Sequence, residues 1–166
     1  MEHASRATNE KEVFSSHDSN ASGSASSLDA TLNLKHKAIL TTIYSAGLRV
    51  SEVANLQITD IHSANMHLFV RQSKGNKDRF SLLSEHNLLL LRQYWKAYRP
   101  NLWLFPGMPD TKSISTRTIQ SVFKNSLHAA GISMDVSVHT LRHCFATHLL
   151  NEGAEILQIK ELLGHA

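Results

Sequence analysis

His139 and Arg142 stand three residues apart in the run Val138-His139-Thr140-Leu141-Arg142-His143-Cys144-Phe145-Ala146-Thr147-His148. At a helix start, positions i and i+3 share a face, so an acid/base imidazole and a guanidinium can converge there on one small anion. Phosphate suits such a pair, because guanidinium offers paired N–H donors to its oxygens and keeps its charge at any relevant pH. Three other runs supply matching groups. Arg49 lies in Ala46-Gly47-Leu48-Arg49-Val50-Ser51-Glu52, Lys74 in Ser73-Lys74-Gly75-Asn76-Lys77-Asp78-Arg79, and His165 in Leu162-Leu163-Gly164-His165.

These residues need elements to hold them. Leu34, Ala38, Ile39, Thr42 and Ile43 recur at three and four, predicting a helix closed by Gly47 as its C-cap. Ser51 is expected to cap a short helix carrying Val53, Ala54 and Leu56 on its apolar side. Met66 to Arg71 and Arg79 to Leu83 are β-leaning around the turn Gly75-Asn76, which predicts a hairpin with Lys74 in its turn. Ser84 opens a long helix that Pro100 ends, and Leu104-Phe105-Pro106-Gly107 reads as a turn. Ser115 to Ala130 is helical, with Ile119, Val122, Phe123 and Leu127 inward and Gly131 just past its end. Two further helices, about Thr140 to Asn151 and Ala154 to Leu163, end at Gly153 and Gly164. The predicted class is α+β, mainly α, with one small β-hairpin sheet.

A chain of 166 residues with 42% hydrophobic content supports one ordinary core. No apolar run is long enough to span a bilayer, and Met1 to Glu10 lacks the basic-then-apolar order of a signal peptide, so a cytoplasmic protein is expected. Cys144 is the single cysteine and reads as a small packing residue. Residues 1–33 hold two basic against five acidic residues, a net of −3, and are rich in Ser, Ala, Gly and Asn between Phe14 and Ser27. They are expected to form a disordered arm. The remaining fifteen basic and nine acidic residues give +6, a balance compatible with DNA binding.

The order Arg49, Lys74, His139-x-x-Arg142, His165 resembles the catalytic domain of the tyrosine recombinase (phage integrase) family, in wording nearest to Xer-like and integron-type integrases. The resemblance runs from about Leu34 to Ala166 and implies the tyrosine-recombinase catalytic-domain fold over residues 34–166. It also implies strand exchange between DNA duplexes by transesterification. Arg49 and Arg142 would clamp the non-bridging oxygens, Lys74 would protonate the leaving 5′-oxygen, His139 would act as acid/base, and His165 would hydrogen-bond the scissile phosphate. Glu52 occupies the family's usual acidic position, orienting its neighbours. No cofactor or metal is implied, since the arginines take the place that metal ions hold in nucleases. The implied partners are double-stranded DNA and, in full-length relatives, the other protomers of a tetrameric synapse.

One requirement is unmet by the sequence. The family's nucleophile is a tyrosine about nine residues beyond the last histidine, forming a 3′-phosphotyrosyl link. This sequence stops one residue after His165, and Tyr44, Tyr94 and Tyr98 match no nucleophile position. The expectation is a C-terminally incomplete catalytic domain that is cleavage-incompetent alone.

Blander readings stand beside these. Arg49 alone could cap a helix or pair with Glu52. Lys77 and Arg79 are either DNA-backbone contacts or a solvated hairpin tip. His143 and His148 read as structural or solvent-facing; with His139 and Cys144 they suggest zinc, but without a Cys pair, a His-Glu-x-x-His arrangement or an acidic third ligand. At the level of the whole chain, the alternatives are an inactive integrase remnant and a non-catalytic DNA-binding module of the helix-turn-helix kind. A recognition helix needs several outward cations or amides, whereas Thr140 to Leu150 offers only Arg142 as a full cation.

Overall fold

The computed structural model describes residues 33–73, 77–132 and 136–164. The expected arm therefore lies outside the described residues, except at Asn33. That residue belongs to the first helix: its side chain accepts from the His36 N–H at 2.8 Å and caps α1, Leu34–Ala46. The helix stops at Gly47, which takes a left-handed φ of 66° that a side chain would resist.

Helix α2, Val50–Ala54, begins after Arg49. Ser51 is not its cap, as the sequence suggested, but an exposed residue inside the first turn. Glu52 takes over that end of the helix, its carboxylate accepting from the Arg49 backbone N–H at 2.7 Å. A 3-10 turn, Ile58–Asp60, then leads into an antiparallel sheet of β1, Ile61–His62, β2, His67–Ser73, and β3, Lys77–Leu82, in the order β1-β2-β3. The predicted hairpin is β2 and β3; the two-residue β1 carries too short a pattern to be read. Leu68 pairs with Ser81 and Val70 with Arg79, so these four share the inner face, and His67, Phe69 and Phe80 share the outer one.

Helix α3, Glu85–Tyr98, is capped by the Ser84 side chain, as expected. The chain then returns beside α2, with Ile58 N–H donating to the Leu102 carbonyl at 3.0 Å and Leu104 N–H to that of Leu56 at 2.9 Å. The Tyr94 hydroxyl fixes this return by donating to the Leu104 carbonyl at 2.7 Å. Helix α4, Thr116–Ala129, buries Ile119, Val122 and Phe123, with Leu127 half-buried against the core. Helices α5, His139–Asn151, and α6, Ile156–Leu163, complete the described chain.

Helix α1 is the axis of the domain and packs against α3, α4 and α5. Its Ala38, Ile39 and Ile43 are buried, and each isoleucine side chain contributes about 1.5–3 kcal/mol. A smaller cluster of Phe145, Ile159 and Leu163 joins α5 to α6. Among the described residues, no helix is long and apolar enough to cross a membrane.

Candidate phosphate site

The site begins with a close approach. A Cβ built on Gly47 would stand 2.2 Å from Cδ1 of Phe145, so only a glycine lets α5 lie against the end of α1. Arg49 is two residues beyond Gly47, and Arg142 is one turn before Phe145. The packing that seats the Phe145 ring thus brings two arginines, far apart in sequence, to one place.

They meet at Glu52, whose side chain is only 4% exposed. Oε1 of this carboxylate accepts from the Arg49 backbone N–H, from Arg79 Nη2 at 3.1 Å and from Arg142 Nη1 at 3.4 Å. Oε2 accepts from Arg79 Nη1 and lies 3.5 Å from Arg49 Nη1. Burial alone would push the Glu52 carboxyl up. The hydrogen bonds from the Arg79 side chain and the Arg49 backbone, with the charges of both arginines, outweigh it and hold the carboxyl below its ordinary value. Three guanidinium groups against one carboxylate leave a positive surplus in a largely desolvated spot.

The arginines are not equivalent. Arg142 is buried and its pKa falls to about 10, first through burial and then through repulsion by Arg49 and Arg79, with Glu52 opposing; it stays charged near neutrality. Arg49 is the most open of the three, with 24% of its side chain exposed. Its Nη1 lies 3.5 Å from Glu52 Oε2 and makes no hydrogen bond, so this guanidinium is the one least committed within the protein.

Two of the guanidinium groups also hold the end of α6. Arg79 Nε donates to the Leu162 carbonyl at 2.8 Å, and Arg142 Nη2 donates to the Leu163 carbonyl at 2.5 Å. Carbonyls in the last turn of a helix lack intrahelical partners and sit at the negative end of its dipole, so cations stabilise them. Gly164 follows with a left-handed φ of 72° and ends the helix.

The structure thus brings Arg49 and Arg142 together, and the Arg49–Glu52 pairing weighed from the sequence is present alongside. His139 is the first residue of α5 and is exposed. Lys74 and His165 lie outside the described residues. Lys77 is exposed at the start of β3. Arg79 is not at a solvated hairpin tip: its side chain is 8% exposed and turned inward onto Glu52 and Leu162. The reason is the alternation of the strand, which puts Arg79 on the same side as buried Ser81.

Cys144 is buried in α5, His143 is exposed, and His148 lies 3.3 Å from Glu152 on the surface. Tyr94 is buried with its pKa raised by burial and by Tyr98, whose ring centroid lies 5.1 Å away. Among the described residues, no three His, Cys, Asp or Glu side chains gather as a metal site would require. What the sequence reading missed is the part played by Arg79, which makes Glu52 the meeting point of three arginines and not of its near neighbours alone. Parity with Ser81 and Leu83 was the available signal for Arg79.

Known proteins share this fold. Residues 20–166 match the phage integrase family. The chain is 46% identical over 138 residues to a Sinorhizobium fredii protein described as integrase/recombinase y4qK, a match covering 83% of this chain and 45% of that one. It is 39% identical over 137 residues to tyrosine recombinase XerA of Pyrococcus horikoshii, covering 81% of this chain and 47% of the relative. The crystal structure of a XerA recombinase superposes with a TM-score of 0.74 at 33% identity, over 81% of this chain and 50% of that one. XerH recombinase bound to its difH substrate before cleavage shares the fold, with a TM-score of 0.73 at 23% identity over 85% and 44% of the two chains. The chain spans about half the length of the curated relatives it matches.

Proposed function

Because the chain belongs to the phage integrase family, as a tyrosine recombinase catalytic domain, we propose that it binds duplex DNA and serves site-specific recombination through a 3′-phosphotyrosyl intermediate. The observation that carries the reading is the convergence of Arg49 and Arg142 on the Glu52 carboxylate, with positive charge left over.

In this reading the two guanidinium groups take the non-bridging oxygens of one DNA phosphate. Charge that develops on those oxygens in the five-coordinate transition state meets donors already in place, which is where electrostatic catalysis gains most. Glu52 does not touch the phosphate. It holds the arginines at fixed positions and limits their mutual repulsion. His139, exposed at the start of α5, exchanges a proton with the attacking or departing tyrosine oxygen. Lys74 donates a proton to the leaving 5′-oxygen, His165 hydrogen-bonds the phosphate, and Lys77 contacts the DNA backbone. Cleavage exchanges one phosphodiester for another, so its energy is kept for religation. In a complete assembly the partners are duplex DNA and three further protomers in a synapse.

None of the three tyrosines in the sequence serves as nucleophile in this reading. Tyr94 is buried with its hydroxyl committed to Leu104, Tyr98 stacks on it from the same helix, and Tyr44 packs against the core. The attacking tyrosine is one outside this sequence. A nicked duplex carrying a matched recombination site tests both halves of the proposal. Binding that weakens steeply with salt, without a covalent protein–DNA adduct, is the expected result. Salt-independent binding overturns the phosphate clamp, and an adduct on Tyr44, Tyr94 or Tyr98 overturns the nucleophile assignment.

A further inference from the structure

The inward face of β3 holds a side chain that the proposed mechanism leaves unused. Arg79 does not stand at the opening of the site, yet its guanidinium spans two elements. Nη1 and Nη2 bind the two oxygens of Glu52 on α2, and Nε binds the Leu162 carbonyl at the end of α6. Arg142 makes the parallel connection from Glu52 to the next carbonyl, that of Leu163. Two arginines from different elements therefore tie consecutive carbonyls of α6 to one carboxylate, and that carboxylate also receives the backbone and guanidinium of Arg49.

We infer that Arg79 is a positioning residue for the phosphate clamp: its fork sets the orientation of Glu52 and, through it, where Arg49 and Arg142 present their donors. The inference rests on the phosphate-binding reading of Arg49 and Arg142. Three features support it. Arg79 is the guanidinium with a two-toothed grip on Glu52, whereas Arg142 reaches one oxygen at 3.4 Å and Arg49 Nη1 stands off at 3.5 Å. Without the grip, a carboxylate between Arg49 and Arg142 would close on those two and take the donors meant for phosphate. The third support is planarity. Only a guanidinium presents Nε and both terminal nitrogens in one rigid plane, so one side chain can fix the carboxylate and the Leu162 carbonyl together.

Lysine at this position keeps the positive charge and keeps Glu52 paired, so Arg79→Lys is the variant expected to fold. It cannot hold both partners in register. The experiment follows the Arg Nε–Hε NMR signals of the full 166-residue chain, isotopically labelled, during titration with inorganic phosphate. In the wild type, the Arg49 and Arg142 signals are expected to move together with one dissociation constant. In Arg79→Lys, the phosphate affinity is expected to fall about tenfold and the Arg142 signal to shift before any phosphate is added, as misplacement of a clamp by a fraction of an ångström would produce. The variant Arg79→Met with Glu52→Gln removes both charges of the pair and is expected to be as weak as Arg79→Lys. Wild-type affinity in Arg79→Lys shows that charge alone suffices and overturns the positioning role. A wild-type chain whose Arg49 and Arg142 signals ignore phosphate overturns the clamp itself, and the inference with it, a result separable from the first by its absence of binding in every variant.

Discussion

Gly47 and Phe145 touch so closely that the smallest side chain would collide with the ring, and this contact locks α5 onto the turn that carries Arg49. Gly47→Ala adds a Cβ at a left-handed φ and drives it into Phe145. A loss of about 2–4 kcal/mol in urea unfolding is expected. In a Phe145→Ala background the same glycine change should cost less, because the collision is gone and only the backbone strain remains.

Removing the charge of Glu52 leaves three buried or half-buried guanidinium groups facing one another. Glu52→Gln is expected to destabilise the fold by about 3 kcal/mol, the usual result of taking one partner from a buried ionic cluster. Chemical denaturation at neutral pH measures it, and a change below about 0.5 kcal/mol would show that Glu52 is solvated rather than enclosed.

The same carboxylate gives stability a direction with pH. Its folded value lies below the ordinary one, so its contribution is complete above the ordinary carboxylate range, near 4.5, and is lost as pH falls through the folded value. The difference in unfolding free energy between wild type and Glu52→Gln should therefore be constant from pH 5 to 7 and shrink below pH 4.5. Denaturant curves taken through that interval check it.

For DNA binding, Arg49→Ala and Arg142→Ala should each weaken duplex affinity and lower the slope of log affinity against log salt by about one. Arg49→Lys and Arg142→Lys should recover most of the slope but not the affinity, since an ammonium supplies charge without the paired donors. Fluorescence anisotropy at several salt concentrations separates the two effects. The buried Tyr94 provides the contrast: Tyr94→Phe should cost about 1 kcal/mol of stability and leave DNA affinity unchanged.

Much of this architecture was legible in the residues. The periodic apolar positions of α1, the inward residues of α4, the starts at Ser84 and Ser115 and the glycine stops at 47 and 164 placed the helices within a residue or two. That Arg49 and Arg142 belong at one place was legible through an order of residues resembling that of a known family. Arg79 was not: a basic residue after Lys-Gly-Asn-Lys-Asp has the composition of a surface turn, and only its strand parity with Ser81 and Leu83 points inward. Ser51 misled for a different reason: its hydroxyl suits a helix start, but Glu52 satisfied the backbone N–H first. The carbonyls of Leu162 and Leu163 could not be read at all, since backbone groups carry no signal in a sequence and acquire a role only when α6 is packed against β3 and α5.

The crowding of like charge around Glu52 has a thermodynamic corollary. An enclosure that holds more cationic than anionic groups is relaxed when a counter-charge enters, so whatever enters is bound preferentially by the folded chain over the unfolded one. Resistance to melting then becomes a gauge of occupancy. Heating this domain in phosphate, in chloride and beside a short duplex would rank those ligands without any recombination being scored.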